Sequence, residues 1–254
     1  MLNSDENKTR VGIQAIVQAR SGSTRLPGKI FSKIGPKAVL EWVLERLRAS
    51  AMVERIVVAT TANPEDDQTA RMARSLGVPV FRGEVDDVLD RFYRTLEMFP
   101  ADTVVRATAD NPLLDTGTLD AMITAHAADG HDHTGCGGAP LGLTAEVVSA
   151  AAIRRAWRDT VEKPHREHVT PYIYTHPEMF SVVRIPASPA ISGRNYRLTV
   201  DTPEDLGLMM AIYARLAVYG LPFTAEEAVK LLDANPDIAG FNLGVTQKDW
   251  RKEL

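Results

Sequence analysis

The sequence predicts an α/β protein with a mostly parallel central sheet flanked by helices. Three observations carry that expectation. Short β-branched runs alternate with helical stretches through the first half of the chain, the rhythm of βαβ units. The strand runs are apolar on both faces, as strands covered by helices on both sides are. Three polar loops, following residues 17, 59 and 107, leave their strands at one sheet edge, where open α/β sheets take their ligands.

The elements follow in order. Residues 13–17 read as a buried strand, and Val39, Leu40, Val43, Leu44 and Leu47 recur at helical spacing in a helix expected over about 36–50. The β-branched run 55–60 is a second strand, ended by Asn63-Pro64, with a helix over 65–76 closed by Gly77. A short strand over 78–81, a helix over 86–98 and a strand over 102–107 continue the pattern. Past residue 130 the rhythm changes. Residues 131–140 read as a glycine-rich loop, 141–147 as extended, 148–158 as helix and 164–174 as a helical stretch. Strands are expected over 180–185 and 196–201, and helices over 203–218 and 223–232. Without internal repeats or a low-complexity linker, residues 11–254 are expected to form one domain with an inserted region at about 131–195, behind a polar tail over 1–10.

A net charge of -4 argues against broad nucleic-acid binding but leaves room for a local basic pocket. The single cysteine, Cys136, excludes an internal disulfide and fits a reducing compartment. Residues 1–10 lack the apolar segment of a signal peptide. No apolar run approaches the ~18 residues of a membrane span. The expectation is a soluble, cytoplasmic protein with neither nucleic-acid nor membrane partners.

The most informative stretch runs from Arg20 to Lys29, between the first strand and the first long helix. Gly22 and Gly28 let backbone approach an anion closely, loop N–H groups can converge on it, and Arg20, Arg25 and Lys29 can neutralise it. The spacing is not that of a Walker A loop, because five residues separate the glycines and Ile30 follows the lysine; nor is it a dinucleotide fingerprint. An ordinary βα connection remains the plain alternative. Asp110 and Asp201 end the fourth and last expected strands, on the same rim. Magnesium needs only one or two carboxylates beside phosphate oxygens. Each aspartate also has a local reading: Asp110-Asn111-Pro112 as a turn, and Thr202-Pro203-Glu204-Asp205 as a helix start. The histidines around 131–133 and 165–168 lack zinc-site spacing.

Residues 16–20 and 22–29 together resemble the cytidylyltransferase family of the spore coat polysaccharide biosynthesis protein SpsF type, related to the CMP-acylneuraminate and CMP-KDO synthetases. The resemblance continues through Val58-Ala59-Thr60-Thr61, Phe81-Arg82-Gly83, residues 86–91, Arg106-Ala107-Thr108-Ala109-Asp110, residues 166–173 and residues 199–205. It implies a GT-A-like, nucleotide-diphospho-sugar transferase fold. It also implies transfer of CMP from CTP to a sugar, sugar acid or related phosphorylated metabolite, with release of pyrophosphate, for surface polysaccharide biosynthesis.

On that resemblance Gln18, Ala19, Arg20, Gly22, Ser23, Arg25, Lys29, Thr60, Arg82, Asp90 and Thr108 bind the nucleotide. Lys29 and Arg25 would hold the β- and γ-phosphates and Arg20 would face the α-phosphate. Arg20, Lys29, Asp110 and Asp201 form the catalytic set, with Asp110 and Asp201 as ligands of Mg2+. Glu146, Glu167 and His168 would meet a small polar acceptor, and a homodimer is implied. The chain departs from the family pattern at Thr144, where an aspartate is common; the exchange removes a carboxylate where the acceptor would be recognised. Use of another base such as UTP, and a nucleotide-binding module without turnover, stay open beside CTP transfer.

Overall fold

Strand β1 (Val11–Gln18) lies inside one sheet, and its side chains serve both faces. Ala15 and Val17 enter one buried cluster and Ile16 the opposite one, the alternation that a strand imposes. In this computed structural model, which describes residues 9–217 and 223–247, β1 pairs in parallel with β4 (Arg55–Thr61) on one side and β6 (Ala101–Thr108) on the other. Strand β5 (Val80–Gly83) lies parallel beside β4. A two-stranded hairpin, β2 (Lys33–Ile34) and β3 (Lys37–Ala38), precedes α1 (Val39–Arg48). Helices α2 (Asp67–Ser75), α3 (Val88–Met98) and α4 (Thr116–Asp129) complete the alternation.

The sheet then gains a mixed edge. Strand β8 (Glu146–Ser149) runs antiparallel to β6, β7 (His133–Gly137) antiparallel to β8, and β9 (Val182–Pro186) parallel to β7. The resulting seven-stranded order is β5-β4-β1-β6-β8-β7-β9. Helix α5 (Ala150–Asp159) packs with α3 on one face through Ile153, Ala156, Leu89 and Phe92, whereas α1 and α4 cover the other through Leu44, Leu47, Leu119 and Met122. A third apolar cluster joins α8 (Pro203–Leu216) and α9 (Ala225–Ala234) to Val39 and Trp42 of α1. Short helices α6 (Lys163–His168), α7 (Pro171–Thr175) and α10 (Pro236–Ala239) complete the chain. Among the described residues, no helix is long and apolar enough to cross a membrane.

The parallel half matches the sequence expectation closely; four segments beyond residue 130 differ. Residues 133–137 form a strand although two of the five are glycine, because pairing with both β8 and β9 overrides weak local propensity. Extended structure over 141–147 is reduced to a strand that begins at Glu146. Gly142 turns at φ 95, and a Cβ there would lie 2.3 Å from the Leu198 carbonyl oxygen, so close approach of the two chains requires glycine. Residues 196–201 pair only at the isolated bridge between Leu141 and Arg197; Leu198 and Val200 face the third apolar cluster and give the segment a strand-like alternation without a ladder. The helical stretch over 164–174 breaks between α6 and α7 at Val169, whose φ is 74. The expected tail residues 1–8 and Val218 lie outside the described residues.

Candidate active site

The loop between Ser21 and Lys29 is held from beneath by a buried carboxylate. Asp66, fully buried after β4, accepts from the Ser21 amide at 2.7 Å, the Ser21 hydroxyl at 2.9 Å and Thr69 at 3.3 Å, with Thr61 also donating. Burial pushes this carboxyl up, but the donors from Thr61, Ser21 and Thr69 outweigh it and hold the group below its usual range. The loop also closes on itself, with the Gly28 amide donating to the Ser21 carbonyl at 3.1 Å. Gly28 sits at φ 67, a left-handed conformation that aims the following turn, and with it Lys29, back toward the sheet edge.

Lys29 reaches across that edge. Its Nζ lies 2.5 Å from Asp110 Oδ2 and 2.6 Å from Asp201 Oδ1, and Arg25 Nη2 lies 3.1 Å from Asp201 Oδ2. Burial disfavours the ammonium, yet the two carboxylates overcome it and raise the Lys29 pKa above its ordinary value. Burial likewise raises Asp201, but Lys29, Arg25 and Arg197 bring its carboxyl below the usual range. Two acids far apart in the chain, Asp110 and Asp201, therefore converge on one point, and a cation stands there. The donor set fits magnesium: two hard carboxylates beside space for phosphate oxygens. Among the described residues, no cluster of three or more His, Cys, Asp or Glu could hold a metal without a ligand's help.

Three cavities meet around this point. The first, about 370 Å³, is lined by Gln18, Arg20, Gly22, Ser23, Arg25, Lys29, Thr108, Asp110, Glu167, His168, Asp201 and Gln247, among others. A second, about 150 Å³, lies between Gln18, Ala19 and Arg20 on one side and Val85, Asp86, Val88 and Arg91 on the other. The third, about 230 Å³, is bounded by Arg106, Thr108, Asn111, Thr144, Glu146, His168, Thr170 and Tyr174. His168 lines all three. It is placed there by a rare γ-turn: Val169 has φ 74 and ψ -61, and the Thr170 amide donates to the His168 carbonyl at 2.9 Å. A buried β-branched residue at positive φ is strained, and such strain concentrates at functional sites.

The third cavity has a closed polar wall. Glu146 accepts from Arg106 at 2.5 Å, from Thr170 at 2.9 and 3.1 Å, and pairs with His133 Nε2 at 3.0 Å. Burial raises this carboxyl, but Arg106 and His133 lead the groups that bring it down to about 2. Glu146 thus holds a fixed charge already spoken for by its neighbours.

Not every residue singled out in the sequence reaches these cavities. Arg82 is committed elsewhere, donating to the Thr61 and Asn63 carbonyls at 2.8 Å each and to Asp67 at 2.6 Å. Asp90, on α3, accepts from Trp157 Nε1 at 2.8 Å and faces α5. Thr60 is fully buried inside the sheet, opposite Arg82 in register. None of the three lines the cavities described here.

Other side chains emerge only from the structure. Arg91 is 2 % exposed, with Nη1 on the Glu84 carbonyl at 3.0 Å and Nε buried without a hydrogen-bond partner. Burial, with Arg20 nearby, pushes it down to about 10 against the pull of Asp66, Asp87 and Asp86. Its signal in the sequence is a cation on the inward face of α3, between Leu89 and Phe92. Arg106 has a similar signal, as a cation inside the strand run of β6.

Fold and site together define an α/β protein with a cation-rich first loop and paired rim carboxylates. A model of the cytidylyltransferase family matches residues 14–233. The spore coat polysaccharide biosynthesis protein SpsF of Bacillus subtilis is 38% identical over 229 residues, covering 88% of this chain and 95% of that protein. A solved cytidylyltransferase from Leptospira borgpetersenii superposes with a TM-score of 0.81 at 29% identity, covering 94% of this chain and 99% of the other. The structure of a CMP-2-keto-3-deoxy-manno-octonic acid synthetase complexed with CTP shares the fold, with a TM-score of 0.65 at 15% identity over 80% of this chain and 99% of that one. The chain belongs to the cytidylyltransferase family.

Proposed function

We propose that this protein is a Mg2+-dependent cytidylyltransferase that transfers CMP from CTP to a sugar, sugar acid or related phosphorylated metabolite, releasing pyrophosphate. The observation that carries this reading is the Lys29 ammonium set between Asp110 and Asp201 at the mouth of the glycine loop. An acceptor oxygen attacks the α-phosphorus, the bond to the bridging oxygen breaks, and pyrophosphate leaves. Such transfers depend on positioning and on neutralising shared negative charge.

Lys29, Arg25 and Arg20 take the phosphates in the 370 Å³ cavity, beside the Gly22 and Ser23 backbone. Asp110 and Asp201 would hold the metal, which when bound supplies charge neutralisation at the phosphates. The base takes the cavity floored by Arg91, and the acceptor the one bounded by Thr108, Glu146, His168 and Thr170. With its carboxyl at about 2, Glu146 is too weak a base to accept an acceptor proton near neutral pH and serves instead to hold Arg106 and Thr170 in place. The names of SpsF and of the KDO synthetase support a role in surface polysaccharide synthesis.

The test is pyrophosphate release from CTP and Mg2+ across a library of sugar, sugar-acid and sugar-phosphate acceptors. Release with one acceptor class, dependent on CTP, is the expected result. Release that follows UTP or ATP and ignores CTP rejects the base assignment, and a protein that binds CTP yet turns over nothing supports the non-catalytic alternative.

A further inference from the structure

Behind Asp201 lies a guanidinium that the reaction as described does not use. Arg197 is 9 % exposed and belongs to a segment without ladder pairing beyond its bridge to Leu141. All three of its side-chain nitrogens are engaged. Nε donates to Asp205 Oδ1 at 3.0 Å and Oδ2 at 3.2 Å, Nη2 donates to Asp201 Oδ2 at 2.5 Å, and Nη1 donates to Gln247 Oε1. Asp205 is fully buried, and its Oδ2 also accepts from the Asp201 amide at 3.0 Å and the Thr202 amide at 3.1 Å. Asn242 closes the unit, donating to Asp205 Oδ1 at 2.8 Å and to the Arg197 carbonyl at 2.9 Å.

Asp201 is thus gripped twice by one rigid unit, at its amide by Asp205 and at Oδ2 by Arg197. Its Oδ1 is turned to Lys29. A chain of alternating charge, Asp205, Arg197, Asp201, Lys29, Asp110, runs from the first turn of α8 into the site. Stability is a poor reason for such a chain, because desolvating buried ions offsets most of what their pairing returns. Orientation is a better one, since outer partners of ligating carboxylates fix which oxygen faces the metal. The unit also reaches the C-terminal segment: Gln247 lines the same cavity as Lys29 and Asp201.

We propose that Arg197 is a positioning residue. It fixes Asp201 so that Oδ1 stays turned to Lys29, where a nucleotide-bound divalent cation would find it, and through Gln247 it ties that orientation to the segment over 243–247. The inference rests on the assignment of Asp110 and Asp201 to the metal. Lysine cannot replace the arginine, because one ammonium does not span three partners held in a planar fork.

The experiment titrates Mn2+ into the protein with CTP present and reads free Mn2+ by electron paramagnetic resonance, alongside the Mg2+ concentration for half-maximal pyrophosphate release. Arg197→Lys is expected to weaken Mn2+ binding by about tenfold or more, and to lower kcat more than it raises the KM for CTP. Gln247→Ala shifts both readings in the same direction by less. Unaltered Mn2+ binding in a folded Arg197→Lys protein overturns the proposal. If that variant does not fold, unaltered binding in Gln247→Ala does so in its place. Asp201→Asn separates the two levels: wild-type Mn2+ affinity there rejects the metal assignment itself. Loss there with retention in Arg197→Lys rejects only the positioning role.

Discussion

The two halves of the sheet handle buried charge in opposite ways. On the parallel side, Lys29 stands between Asp110 and Asp201, and Arg25 joins them at a cavity mouth where Arg20 is exposed. On the mixed side, Glu146 is ringed by Arg106, His133 and Thr170. Both networks centre on carboxylates depressed by cations, yet they differ in what surrounds them. The first opens onto a cavity that Arg20, Arg25 and Lys29 line together with Asp110, Glu167 and Asp201. In the second, both carboxylate oxygens are taken up by protein partners. An open network can exchange its internal partners for a ligand, whereas a closed one shapes a wall. The same chemistry thus leaves one network open at the end of β6 and closes another a few residues away.

The strongest way to break this comparison is to neutralise an acid of the open network. Asp201→Asn or Asp110→Asn is expected to lower pyrophosphate release by about 10²–10³-fold while leaving the melting temperature within a few degrees. A large loss of stability with retained turnover would make the open network structural instead. The next effect is steric. Gly142→Ala forces a Cβ to within 2.3 Å of the Leu198 oxygen at φ 95, and urea denaturation should show a loss of about 3 kcal/mol.

Removing charge from the closed network should do the reverse of Asp201→Asn. Glu146→Gln is expected to destabilise by about 2 kcal/mol, read by denaturant melts at neutral pH. The sign with pH follows from the depressed carboxyl. Glu146 titrates near 4.5 when unfolded and at about 2 when folded, so its contribution is complete above the first value and disappears as pH falls toward the second. Wild-type stability should therefore fall more steeply than that of Glu146→Gln across this window. An unchanged slope would contradict the closed network. The smallest effect belongs to Asp90→Asn. It loosens the hydrogen bond from Trp157 at a cost of about 1 kcal/mol, and transfer should stay within about twofold.

The same contrast explains what was legible in the sequence. The parallel half was legible because βαβ units have a local rhythm and a phosphate loop has a local composition. The loop carrying Lys29 and the residue Asp110 could be placed on one rim from strand exits, whereas Asp201 was placed there from an expected strand that has no ladder. Their mutual distances could not be read, since the contacts span 81 and 172 residues. The mixed half hid its strands: β7 contains two glycines and is held by neighbours rather than propensity, whereas residues 196–201 look like a strand and bridge only at Arg197. Arg82 and Asp90 were expected at the nucleotide from the family resemblance, but their partners lie within the scaffold. Arg91, Asp66 and Arg197 were overlooked because a buried charge reads in sequence like a solvated one.

The central claim is that the corner of Lys29, Asp110 and Asp201 holds a cytidine triphosphate with its metal. Calorimetric titration of CTP, UTP and ATP with and without Mg2+ tests it most directly. CTP is expected to bind best, Mg2+ to tighten it, and Asp110→Asn and Asp201→Asn to remove the Mg2+ effect. Binding of UTP or ATP without response to CTP, or CTP binding indifferent to Mg2+ and to both substitutions, would contradict it.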